Sequence, residues 1–179
     1  MEHANFITAV LGVVVTVIGL VFAVFAGFEF FQLRRIRKDF LEFQNRMLAE
    51  ILAREKATHR VMASYAIKDP AARVPLLLAA IKMCPQVFNA YNALGYAYLE
   101  QGESAKAMDA FQDAIRHHPR SKEGYFDLAA ACLQTGDRDL CLKHLRRALA
   151  VDPSSRDDLF DNPQFSALEG DPEFRRIRS

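Results

Sequence analysis

The chain has 179 residues, 51% hydrophobic and 25% charged, with a formal net charge of +1. Acids and bases are interspersed and no basic stripe alternates with aromatics, so nothing here calls for a nucleic-acid partner. Three cysteines, Cys84, Cys132 and Cys141, form an odd set without metal-ligand spacing, and a Cys132–Cys141 disulfide would be expected only in an oxidising compartment.

The first element in chain order is an uncharged apolar run from Phe6 to Phe28, rich in Val, Ile, Phe and Gly. About twenty such residues cross a bilayer as a helix. A cleaved signal peptide is the rival, with Val24-Phe25-Ala26 as a cleavage site, but Met1-Glu2-His3-Ala4-Asn5 lacks Lys or Arg and the run is too long. A retained anchor over 1–31 is therefore expected. Arg34, Arg35, Arg37 and Lys38 follow it directly, whereas only Glu2 and His3 precede it. The excess of cations after the span predicts a single-pass cell-membrane protein, N-terminus outside and the rest cytoplasmic. Those four cations are also placed to meet anionic lipid headgroups, at about 1 kcal/mol each. Inside the span, Gly12, Thr16, Gly19, Ala23 and Gly27 form a small-residue stripe suited to helix packing, either on a second copy or on a partner's helix.

From Gln32 to Ala66 there is no Gly or Pro, which reads as one long helix whose first part, 32–53, is a basic juxtamembrane stalk. Leu33, Ile36, Phe40, Phe43 and Met47 follow a three-four spacing that fits a coiled coil over at most two heptads. Glu50 and Arg54 end it, and the drift towards Leu48, Ile51 and Leu52 suits an ordinary helix running into the next domain.

Two stretches then carry one sparse signature in register. Tyr91, Leu94, Gly95, Tyr98, Ala107, Phe111, Ala114 and Pro119 are echoed by Tyr125, Leu128, Ala129, Cys132, Cys141, Leu145, Ala148 and Pro153, a period of 34 residues. The pattern resembles the tetratricopeptide repeat, with Tyr91 where the family has Trp. The resemblance covers two repeats, 88–121 and 122–155, and a degenerate or capping copy over 54–87, in which Leu77, Ala80 and Pro85 fit while Arg60 stands in place of Leu. It implies an all-α fold: a transmembrane helix and stalk, then a short α-solenoid whose repeats bury their apolar faces by stacking. Gly95 and Ala107 would let the helices of one repeat approach, Leu94, Tyr98, Phe111 and Ile115 would fill the space between repeats, and Cys132 and Cys141 would be buried reduced thiols. Punctuation agrees: Gly102 and Gly136 suit left-handed helix ends, Asp69-Pro70 an N-cap and first turn, and Pro119 and Pro153 helix stops. The tail, 156–179, repeats short turn-and-helix phrases around Leu159-Phe160, Asn162-Pro163-Gln164-Phe165, Leu168, Asp171-Pro172-Glu173-Phe174 and Ile177. It is expected to cap the last repeat with its acids and Arg175, Arg176 and Arg178 in water. It also resembles endings found after many bacterial repeat domains, which points to a bacterial inner membrane.

The family's first helices line a concave groove. Carried onto this chain, its contact positions are Asn89, Asn92, Tyr96 and Leu99, then Glu123, Phe126, Ala130 and Leu133, with Glu55, Thr58, Met62 and Tyr65 from the degenerate copy. Tyr96 and Phe126 are the aromatic candidates for hot spots. The clamp with which chaperone-binding members hold a terminal carboxylate is missing, since Asn92, Tyr96, Glu123 and Asp127 stand in its places. Glu100, Glu123 and Asp127 instead suggest a partner segment with basic and apolar residues.

Chemistry finds no support. His117 and His118 are neighbours whose side chains diverge by about 100° on a helix, the wrong geometry for a shared metal. His59 and His144 lack companions, the Asp157, Asp158 and Asp161 cluster lacks a calcium-loop pattern, and there is neither a phosphate loop nor a nucleophile elbow. No enzymatic activity, cofactor or metal is expected. The expected function is a membrane-tethered scaffold or assembly factor that recruits a membrane-associated protein through its groove. The alternative is an accessory structural subunit of a larger membrane complex, held mainly by its transmembrane helix.

Overall fold

A computed structural model describes residues 2–157 and 161–178, with side chains from 11 to 157 and from 161 to 177. Asp158, Leu159 and Phe160 of the expected tail lie outside the described residues, as do the side chains of Phe6 and of Arg178. Helices follow one another in the order α1 (Glu2–Tyr65), α2 (Pro70–Met83), α3 (Ala90–Glu100), α4 (Ser104–His117), α5 (Lys122–Gln134) and α6 (Arg138–Val151). Two short 3-10 turns, Pro153–Ser155 and Pro163–Leu168, precede a last helix, α7 (Pro172–Arg178). Among the described residues there is no strand, and the fold is all-α.

The chain divides into two units, Met1–Glu50 and Ile51–Ser179. The first is α1 up to Glu50, with every described side chain from Leu11 onward exposed. By length and composition α1 is able to cross a membrane. Thr16 returns its hydroxyl to the Gly12 carbonyl at 2.8 Å, which removes that donor from an otherwise apolar surface.

In the second unit the helices pair and stack. Ala57 and Val61, from the last turns of α1, are buried with Leu77 and Ala80 of α2, with Ala90, Ala93, Leu94 and Ala97 of α3, and with Ala110 of α4. The next layer joins Ala107 and Phe111 of α4 to the run Leu128–Cys132 of α5 and to Cys141, Leu142 and Leu145 of α6. Alanine at so many crossings lets backbones come close, and one larger side chain then fills each remaining gap. Gly95 shows the limit: a Cβ there would lie 2.4 Å from Cε1 of the Phe111 ring. Cys132 and Cys141 sit fully buried as free thiols, and burial pushes Cys141 up to about 12.

The turns inside the two repeats are built alike. Gly102 (φ 77°) and Gly136 (φ 84°) take the left-handed conformation. Around them the N–H of Glu103 donates to the Tyr98 carbonyl and that of Asp137 to the Cys132 carbonyl, both at 2.9 Å, the six-to-one bond of a Schellman motif. Asp69 caps α2 by accepting from the Ala71 amide at 2.9 Å, and α4 and α6 stop just before Pro119 and Pro153.

Beyond α6, Phe165, Leu168 and Phe174 are buried against the second repeat and Ile177 packs beside them. One expectation for the tail needs correcting. Asp171 does not face water: it caps α7 by accepting from the Glu173 amide at 2.8 Å and accepts from both Nε and Nη2 of the Arg138 guanidinium, with Nη2 at 2.7 Å. That pairing pulls the Asp171 carboxyl down to about 2. Arg146 reaches Glu173 at 3.2 Å, so two arginines of α6 hold the cap by its acids.

Candidate functional site

The face lined by the first helix of each repeat is built from the end of α1, from α3 and from α5. Packing leaves it unevenly covered. Asn92 and Ala130 are buried, while Asn89, Tyr96, Leu99, Phe126, Asp127 and Leu133 are half-buried and Glu123 is exposed. Towards α1 the face opens, with Met62 at 64% and Tyr65 at 57% exposure.

A polar ladder crosses this face from helix to helix. Asn89, at the head of α3, takes a left-handed backbone (φ 63°) tolerated by its short amide, and its side chain donates to the Tyr65 hydroxyl at 2.6 Å. One turn further along α3, the Asn92 amide and the Tyr96 hydroxyl both donate to the carboxylate of Asp127 on α5. Gln164, from the turn after α6, bears on the same Tyr96 hydroxyl. Burial raises the Asp127 carboxyl above its ordinary value, the Tyr96 and Asn92 hydrogen bonds oppose that rise, and the charge of Glu123 adds to it. The Tyr96 phenol is pushed up as well, first by burial and then by Asp127. Tyr96 is thus as much a strut as a contact residue, since its ring also meets Phe111 edge-on at 5.4 Å.

Two of the three acids expected to attract a basic partner are already engaged. Asp127 serves the ladder, and Glu100 pairs with Arg73 of α2. Glu123, which accepts from the Ser121 hydroxyl, remains exposed on the face. Sequence reading missed Arg73, Tyr65 as a partner of Asn89, and Gln164. The signal for the ladder was the separation itself: 31 residues from Tyr96 to Asp127 and 35 from Asn92, each close to one repeat period, places them on adjacent first helices.

The histidine pair is absorbed by aromatic packing. His117 stacks on Tyr91 with ring centroids 4.8 Å apart and planes within 7°, and His118 meets Phe88 edge-on at 6.0 Å. Among the described residues no three His, Cys, Asp or Glu gather as a metal ion would require.

On α1 the stripe Gly12, Thr16, Gly19, Ala23 and Gly27 lies open, and a Cβ added at any of the three glycines would meet nothing within 4 Å. Of the four cations, Arg34 lies 4.9 Å over the Phe30 ring and Lys38 pairs with Glu42 at 3.7 Å. Arg35 and Arg37 are exposed.

Comparison with known proteins agrees with the helix pairs. The family described as tetratricopeptide repeat matches residues 69–121 and again 92–156, the stretch from α2 through α6. A segment of 64 residues is 38% identical to cellulose synthase operon protein C of Escherichia coli strain K12, and to the putative protein of the same name in strain O157:H7. It covers 36% of this chain and only 6% of those relatives. Among solved structures, a crystal structure of MamA is 27% identical with a TM-score of 0.49, covering 54% of this chain and 57% of MamA. A second structure, titled MamA MSR-1 C2, is 24% identical with a TM-score of 0.47, covering 59% of each chain. The repeats read from the spacing, the paired helices and the family match agree, and the chain belongs to the tetratricopeptide repeat family of protein–protein interaction scaffolds.

Proposed function

We propose that this chain is a single-pass membrane protein whose repeat domain, on the cytoplasmic side, docks a membrane-associated partner protein. The observation that carries the reading is the order of features along α1: an uncharged apolar run, then Arg34, Arg35, Arg37 and Lys38, then helix that ends as part of the repeat unit. The first suits hydrocarbon, the second suits the headgroups of the cytoplasmic leaflet, and the third joins the span to the repeat unit. A face of few repeats binds weakly alone. Confinement to one membrane with the partner raises the effective concentration and offsets that weakness.

The chemistry of the face favours an apolar or aromatic segment of the partner laid over Met62, Tyr65, Leu99, Phe126 and Leu133, with a cation near Glu123. Protease digestion of sealed vesicles tests the topology: the repeat unit should be cut only from the cytoplasmic face, and cleavage from the other face overturns it. Docking is tested by crosslinking and pull-down through the intact membrane with Met62→Glu and Phe126→Ala combined. Tyr96→Ala is the poorer probe, because it removes a strut of the fold. Loss of capture with unchanged helicity supports the groove; undiminished capture rules it out.

A further inference from the structure

Between Leu33 and Met47, α1 carries an apolar face that its own unit leaves uncovered. Leu33 is 63% exposed, Phe40 and Phe43 57% each, and Met47 41%. Counted in heptads, Leu33, Phe40 and Met47 fall in one a column, with Ile36 and Phe43 in the adjoining d column. At the rise of an α-helix, Phe40 stands ~18 Å and Met47 ~28 Å beyond Phe28, the end of the apolar run. Headgroups reach only roughly 5–8 Å past the hydrocarbon. Lipid therefore does not cover the part of this face from Phe40 to Met47, and water is a costly neighbour for it.

We infer that α1 pairs in parallel with α1 of a second copy, through the seam Leu33, Ile36, Phe40, Phe43 and Met47. The parallel sense rests on the membrane reading above, because two copies inserted alike must run the same way. Charge placement favours a second copy. In a parallel pair the g and e positions meet, which sets Gln32 opposite Arg37 and Asp39 opposite Gln44. Neither pair opposes like charges. Arg34, Arg35 and Lys38 fall at the outward b, c and f positions, where Lys38 has its own Glu42. Glu50 and Arg54, at the next d and a places, end the seam. Glu29, at the d place before Leu33, would meet its own copy and bounds the seam on the membrane side as Glu50 bounds it on the other. Two heptads are too short to hold in free solution; confinement to one membrane makes them sufficient.

The test uses the full-length chain in membranes, with Cys84→Ser as background and single cysteines introduced by Leu33→Cys, Phe40→Cys, Met47→Cys, Lys38→Cys and Asn45→Cys. On mild oxidation the first three should give at least five-fold more disulfide-linked dimer than the last two, which sit on the outer face. A flat profile, or no dimer, overturns the pairing. In a second variant, Phe40→Glu with Phe43→Glu should abolish the dimer while the chain stays in the membrane fraction with unchanged helicity, and a persisting dimer overturns the seam. If the parent chain is missing from the membrane fraction, the membrane reading itself fails and the parallel pairing falls with it.

Discussion

The two full repeats solve one packing problem in two ways. In the first, Gly95 on α3 leaves room for the ring of Phe111 on α4, and a Cβ at 95 would lie 2.4 Å from that ring. One period later Ala129 supplies the missing Cβ, and Leu145 stands where the phenylalanine was. Ala129, Phe111 and Leu145 are each fully buried. Volume removed from the first helix is thus returned by the second. The difference teaches that the family's signature specifies the sum across the pair rather than either residue.

The largest effect should come from emptying that pair. Phe111→Ala leaves a cavity under Gly95 and is expected to cost about 3–5 kcal/mol in denaturant unfolding. Gly95→Ala drives a methyl into the ring and should cost about 1–3 kcal/mol, although alanine is the better helix former. Adding Phe111→Leu to Gly95→Ala rewrites the first repeat as the second, and the double variant should be more stable than the sum of the single costs predicts. Additive costs would break the comparison, because the two sites would then be independent.

This pairing was legible in the sequence because both members are core residues at fixed repeat offsets, and a helix pair can bury them in only one way. The turns at Gly102 and Gly136 and the stop at Pro119 were legible for the same local reason. The ladder on the docking face was not. Asn92 and Tyr96 could be read as contact positions, but their bonds to Asp127 depend on how one repeat leans on the next. Arg73 meeting Glu100, and Arg138 meeting Asp171, were hidden likewise: charges on different elements carry no periodicity, and only stacking brings them together. Asn89 was read as a contact residue, yet its left-handed backbone belongs to the turn that starts α3.

A second difference between the repeats lies in what covers them. The first is covered by the second, and the second by the tail that Arg138 holds through Asp171. That carboxyl is held at about 2, below the roughly 3.9 of an unfolded aspartate. Its contribution is therefore complete above about pH 4 and is lost as the pH falls towards 2. Over that window the amides of α7 should begin to exchange faster while those of α3 and α4 stay protected. Simultaneous loss of protection in α7 and α3 would show that the cap and the first repeat open as one. Arg138→Ala should bring the same opening to neutral pH.

The smallest expected effect tests the ladder that joins the repeats. Tyr96→Phe keeps the ring against Phe111 and removes only the hydroxyl that donates to Asp127. The cost at neutral pH should be roughly 1–2 kcal/mol, since Asn92 still serves the other carboxylate oxygen. The sign of its pH dependence follows from the charge state that the hydroxyl favours. Burial raises the Asp127 carboxyl and the two hydrogen bonds hold it down, so deleting one lets it rise further. The deficit of the variant is then full at pH values where Asp127 is ionised, and shrinks in acid as the carboxyl becomes protonated in both proteins. Carbon NMR of the side-chain carboxyl reads the shift directly, and denaturant unfolding at neutral and acid pH reads its energetic counterpart. An Asp127 titration unmoved by Tyr96→Phe would mean that the hydroxyl does not hold the two repeats together through this carboxylate, leaving apolar stacking alone to set their angle and the width of the docking face.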